Sequence, residues 1–148
     1  MKRRTRYTQG QAVDPTEFMC WVRQRCEWAA KESGVKSAAI RRVRWEWANG
    51  IWCQDRGEPR CELYGRVKYG KGGFPVVVVS VSDDGHWQDT ASHEYAHALL
   101  EPLEGLRQRG PEDVDEASHT PMWAALYGSI YQLFVDMGRS GPQEGAGD

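Results

Sequence analysis

Apolar positions change period along the chain, and each change marks a new element. Phe18, Trp21, Val22, Cys26 and Ala29 recur at helical spacing, which places them on one face of a helix. Ahead of them, Asp14-Pro15-Thr16-Glu17 combines an N-cap type, a proline suited to the first helical position and an acid three residues after the cap. Ser33-Gly34 supplies a glycine stop. The pattern predicts a helix from Asp14 to that stop. From Ala38 to Trp47 the run AAIRRVRWEW becomes short, β-branched and aromatic, with Val43, Trp45 and Trp47 alternating on one face, and predicts a strand. Arg42 and Arg44 then fall on one face of it, and Arg41 joins the tryptophans on the other.

Asn49-Gly50 offers a turn, and IWCQ and CELYGRVKY predict further short strands around DRGEP. FPVVVVSVS is apolar at consecutive positions, as in a strand covered on both faces. After Ser82 the helical period returns in WQDTASHEYAHALLE, which Pro102 and Gly105 are expected to break. A last helix is predicted from about Pro121 to Met137, with Trp123, Leu126, Tyr127, Ile130, Tyr131 and Phe134 on its buried side. The expectation is an α+β domain over residues 14–137, between a flexible basic N-terminus (1–13) and a disordered tail (138–148). At 148 residues, such a chain buries roughly 70% of its unfolded surface in one core.

The net charge of −2 conceals two opposed halves. Residues 1–73 carry 16 Lys and Arg against 8 Asp and Glu, and the remainder carries 3 against 13. The basic half, with Trp45, Trp47 and Trp52, suits phosphate contacts and base stacking, so single-stranded DNA is a candidate partner. The competing reading makes the arginines a solvated sheet face and the tryptophans core. Cys20, Cys26, Cys53 and Cys61 form no CxxC pair, which favours buried, reduced thiols over a disulfide frame or zinc ribbon. No apolar run approaches the ~20 residues of a membrane span, and the basic start leads into no apolar signal stretch. A cytoplasmic protein without a membrane partner is expected.

The chemistry concentrates in His93-Glu94-Tyr95-Ala96-His97. At ~100° per residue the two imidazoles lie about 40° apart on one helix face, with Glu94 on the flank. Trp87, Ala91, Tyr95 and Ala98 make a separate stripe for the sheet. HExxH arises by chance only on the order of a few times in a thousand chains of this length. Two neutral imidazoles can hold zinc, which acidifies water and polarises a carbonyl, and a carboxylate beside that water can carry its proton to the leaving group. A catalytic zinc needs a third protein ligand. HExxHxxGxxH is excluded, because positions 100 and 103 are both leucine. His119 is the better candidate and Glu116 its rival, with Asp113 and Asp115 weaker. Tyr127, Tyr131 and His86 are candidate donors to transition-state oxygen.

HEYAHALL followed by His119-Thr120-Pro121-Met122-Trp123 resembles the SprT-like zinc metalloproteases, including the Spartan DNA–protein crosslink proteases. In that family HExxH is followed by a third histidine within an HGPEF-like stretch. Pro121 and Trp123 take the family's proline and aromatic places, whereas Thr120 departs from its glycine. VRWEWANGIWCQDRGEPRCELYGRV also resembles the family's strand hairpin ahead of the metal helix, and the likeness spans about residues 14–135. The C-terminal CxxC ribbon and a recognisable DNA-binding extension are missing. The resemblance implies a compact zincin-like domain with Zn2+ on His93, His97 and His119 and with Glu94 as general base and acid. It implies hydrolysis of peptide bonds in protein or peptide substrates. The alternative is a nucleic-acid-associated binding module with a structural zinc.

Overall fold

The computed structural model describes residues 5–81, 87–104 and 120–137. Its elements are β1 (Thr5–Gln9), α1 (Glu17–Glu32), α2 (Ser37–Arg42), β2 (Arg44–Ala48), β3 (Ile51–Asp55), β4 (Cys61–Leu63), β5 (Gly65–Tyr69), β6 (Pro75–Ser80), α3 (Trp87–Glu104) and α4 (Pro121–Met137). The fold is α+β.

The valine run organises both layers. In β6 every residue is buried, because alternate side chains serve two different cores. Val77 and Val79 pack with α1, α3 and α4, whereas Val76 and Val78 pack with Ala48, Ile51 and Leu63. A strand with water on neither face has no reason to alternate polar with apolar residues. β6 lies centrally, parallel to β2 and antiparallel to β5. The second sheet has the order β1-β3-β4, antiparallel throughout.

The two sheets are joined by a fork. β3 and β4 pair as a hairpin, and the end of β6 enters where its legs part: Ser80 N–H donates to the Tyr64 carbonyl (2.8 Å) and Val81 N–H to the Ala48 carbonyl (2.9 Å). Asn49-Gly50 is thus a bend passing the chain from one sheet to the other, with Gly50 at φ 92°, and its flanking strands β2 and β3 do not pair with each other. At the same crossing Gly10 N–H donates to the Gly50 carbonyl (2.9 Å). The Asn49 carbonyl leaves no room there for a side chain at position 10.

Several sequence expectations are corrected. The basic N-terminus, expected to be flexible, supplies β1, with Thr5, Tyr7 and Gln9 half-buried and pairing along β3. Residues beyond it continue along β2, where Val13 N–H donates to the Trp47 carbonyl (2.8 Å). Asp14 and Pro15 lie outside the helix, and α1 is capped at Thr16 rather than Asp14. The Thr16 hydroxyl accepts from Met19 N–H (3.2 Å). At the other end Gly34 N–H reaches the Lys31 carbonyl and Val35 N–H the Ala30 carbonyl, a paired closure with glycine at φ 92°.

The strand expected across Ala38–Trp47 begins only at Arg44. Residues 37–42 form α2, which follows the local helix preference of Ser-Ala-Ala-Ile-Arg-Arg; none of its side chains is fully buried, and Ala39 and Ile40 pack against the edge of the core. Val43, Trp45 and Trp47 do share the helix-facing side, with the two indoles 6.4 Å apart, but Arg41 and Arg42 belong to α2. α3 runs through Pro102 to Glu104; a proline this close to a helix end removes one late hydrogen bond without stopping the turn.

α4 starts and ends where the periodicity placed it. Ile130 and Phe134 are fully buried and Leu126 and Leu133 pack beside them, but Tyr131 is 37% exposed. Buried Arg25 of α1 donates to the Phe134 carbonyl (2.7 Å) between the Trp21 and Phe134 rings, tying α1 to the last turns of α4. Of the four cysteines only Cys26 is buried; Cys53 is half-buried, and Cys20 and Cys61 are exposed. The expected tail, 138–148, lies outside the described residues. Among those described, no helix is long and apolar enough to cross a membrane.

Candidate metal centre

Two faces of α3 do different work. Ala91, Tyr95 and Ala98 are buried against the sheet, where Tyr95 meets Trp45 at 5.3 Å and Trp87 meets Trp47 at 5.7 Å. This is the stripe expected from the sequence, and it fixes the rotation of the helix. His93 and His97 then project together, ring centroids 4.9 Å apart and planes 70° from parallel. One ligand atom from each of His93, Glu94 and His97 lies within 4.8 Å of the others, a group that could hold a metal ion. His97 is buried; the side chains of His93 and Glu94 are 33% and 16% exposed, and His93 Nε2 stands 3.9 Å from Glu94 Oε2. The cluster opens to solvent on the His93 side.

Glu94 is set from below by β5. A Cβ on Gly65 would fall 2.7 Å from Thr90 Cγ2, 3.0 Å from the Val78 carbonyl oxygen and 3.1 Å from Glu94 Cγ. Glycine at 65 therefore lets the strand lie directly against the turn of α3 that carries the carboxylate.

The outer wall comes from α4. Its cap is Thr120, whose hydroxyl accepts from Trp123 N–H (3.1 Å), with Pro121 following as the first helical residue. Trp123 stacks on His97 (4.8 Å, 12°) and meets His93 edge-on (4.8 Å, 75°). Its indole N–H donates to the His93 carbonyl (3.3 Å). Tyr127, one turn on, stacks on Trp123 (5.3 Å) and stands 5.3 Å from the His93 ring. The Tyr127 hydroxyl donates to Asp89 Oδ1. Burial and then this contact with Asp89 push the phenol well above its ordinary pKa. Tyr131 lies 6.2 Å beyond Tyr127.

The structure thus brings His93, Glu94, His97 and Tyr127 together and leaves Tyr131 on the periphery. His86, Asp113, Asp115, Glu116 and His119 lie outside the described residues. Asp89 was missed in the sequence although a signal was present: positions 89, 93 and 97 follow at four-residue steps along one helix face. Trp123, read from the sequence as core and as the family's aromatic, touches both imidazoles. Gly65 carries no sequence signal beyond being glycine in a strand. Neither a protein-family model, nor a curated protein, nor a solved structure matches the chain.

Proposed function

We propose that the chain is a zinc-dependent metallopeptidase of SprT-like type, with His93, His97 and His119 as metal ligands and Glu94 as general base and acid. The observation that carries this reading is the convergence of His93, Glu94 and His97 on one helix within 4.8 Å. The donor set fits the metal: imidazole nitrogens are common zinc ligands, and a carboxylate at the flank gives a catalytic site the base that a structural site has no use for. His119 is covalently next to Thr120, the cap of the helix whose first turn lies on both imidazoles, so the chain enters α4 beside the cluster. Zinc, when bound, supplies acidification of water and polarisation of the scissile carbonyl.

The remaining work falls to the protein. Glu94 takes the proton of the attacking water and returns it to the leaving amine. Trp123 holds His93 through its backbone and His97 through its ring face. The Asp89–Tyr127 contact braces the exposed side of His93. A second reading, a nucleic-acid-associated module with structural zinc, draws on the basic half. There Arg60 covers Trp52 at 4.6 Å, and Arg42 and Arg44 flank Phe74 at 5.3 and 5.1 Å.

The test is elemental analysis of the purified protein followed by casein hydrolysis with and without a chelator, each with and without single-stranded DNA. One zinc per chain and chelator-sensitive cleavage support the peptidase. Zinc without cleavage in any arm moves the assignment to the binding module, and a metal-free, inactive protein removes both.

A further inference from the structure

Away from the metal centre, we infer that Cys53 and Cys61 form a redox-responsive pair that closes to a cross-strand disulfide by exchange with a low-molecular-weight disulfide of the glutathione type. The register places the two residues directly opposite each other at the end of the β3–β4 ladder. Two positions nearer the fork on the same strand faces, Ile51 and Leu63 are likewise paired and share one apolar cluster. Side chains repeat every second residue along a strand, so Cys53 and Cys61 face each other as that pair does.

The dimensions suit a bridge. Directly paired residues in an antiparallel ladder have Cα atoms about 4.5 or 5.5 Å apart, and disulfides span about 4.4–6.8 Å. Cβ atoms in such pairs lie about 4.5–5.5 Å apart, slightly wide of the ~3.8 Å mean of disulfides, so closure draws the strands together. A bond under that demand is the labile, readily reduced kind. Both residues carry thiols, Cys61 exposed and Cys53 half-buried, so an oxidant reaches Cys61 first.

The exchange balances without a further reactant. The Cys61 thiolate attacks glutathione disulfide, forming a mixed disulfide and releasing one glutathione. The Cys53 thiolate then attacks the Cys61 sulfur, forming the Cys53–Cys61 bond and expelling the second glutathione. The two protein thiols are oxidised, one glutathione disulfide is reduced to two thiols, and the two protons go with them. The product ties the base of the loop 54–60, whose turn is held by Glu58 N–H on the Asp55 carbonyl (2.9 Å) and by Gln54 Nε2 on the Glu58 carbonyl (3.0 Å).

The full chain is equilibrated in glutathione buffers of rising disulfide content, acid-quenched, alkylated, and mapped by mass after trypsin. Cleavage after Arg44, Arg56, Arg60 and Arg66 separates the two cysteines, so a bridge appears as peptides 45–56 and 61–66 joined with the loss of two hydrogens. The proposal expects that species to replace the two alkylated peptides as the buffer becomes oxidising, and to revert on reduction. Amide exchange across 54–60 should slow several-fold in the bridged form. In Cys53→Ser the exposed partner should stop at the mixed disulfide, gaining one glutathione on peptide 61–66. A wild-type protein that accumulates glutathione on Cys61 and never forms the joined peptides overturns the proposal. So does a bridge from Cys61 to Cys20.

Discussion

The indole of Trp123 lies flat on the imidazole of His97, with centroids 4.8 Å apart and planes 12° from parallel. One residue of α4 thereby limits the rotation of a histidine on α3, and its N–H reaches the His93 carbonyl as well. The geometry of the candidate centre depends on how the two helices pack.

Trp123 should therefore govern metal affinity without being a ligand. Groups that orient metal-binding imidazoles typically matter by 10–100-fold, so Trp123→Leu should weaken zinc binding by about that factor, read in competition with a chromogenic chelator. Trp123→Phe keeps a ring against His97 and loses the hydrogen bond, and should fall between. Equal affinities in all three proteins would leave the stacking without a role in the site.

Ligand variants test the constellation directly. His93→Ala and His97→Ala should each lose zinc, and His119→Ala should weaken it, because water replaces an imidazole only in part. Elemental analysis after gel filtration reads the outcome. Full occupancy in His119→Ala with loss in Glu116→Ala would move the third ligand to Glu116.

Binding and chemistry separate at Glu94. Glutamine keeps the side-chain size but cannot take a proton at neutral pH, so Glu94→Gln should keep fold and zinc while hydrolysis falls by ~10²-fold or more. Cleavage at the parent rate would assign the base elsewhere.

How much of this was legible in the sequence follows from where the forces are local. The buried valine strand, the two faces of α3 and the extent of α4 each follow from side-chain period, because one element meets one core. β1 was missed because its Thr-Arg-Tyr-Thr-Gln sequence is mostly polar; it is held by backbone bonds to β3, whose need for a partner no local pattern shows. α2 was missed because Ile40 and the following tryptophans made one apparent strand of two elements. Tyr131 was placed inward because a helix stripe read from sequence cannot say where the neighbouring helix ends. At the site, His93, Glu94 and His97 declare themselves by spacing within one helix. The contacts of Trp123, Tyr127 and Gly65 depend on tertiary packing and were out of reach.

Gly65 offers a stability test next to the carboxylate. Its missing Cβ would meet Thr90 Cγ2 at 2.7 Å and a backbone oxygen at 3.0 Å, so Gly65→Ala must move β5 or α3. Overpacking of this kind costs about 1–3 kcal/mol, measured as a lower urea midpoint with an unchanged slope. Because Glu94 Cγ is the third neighbour, at 3.1 Å, the folded variant should also lose hydrolysis. A midpoint equal to the parent's would mean that the strand yields freely.

The basic half remains to be tested for nucleic acid. The arginines expected on one strand face sit on two elements, Arg42 ending α2 and Arg44 opening β2, yet both guanidinium groups reach the same ring, Phe74, at 5.3 and 5.1 Å. Both are exposed, so the charges remain available while the ring fixes their position. If this pair tracks a phosphate backbone, the protein should bind single-stranded DNA with an affinity that falls as salt rises. Each phosphate contact on a single strand contributes ~0.7 to the logarithmic salt slope, so Arg42→Ala with Arg44→Ala should flatten it by up to about 1.4 units. Zinc content should not change, because the candidate ligands His93 and His97 are on α3. If the arginines only solvate their face, binding should be too weak to measure at ~0.15 M salt and the double change should have no effect. Retention of a labelled oligonucleotide at several salt concentrations separates the two, and no retention at low salt would remove single-stranded DNA as a partner.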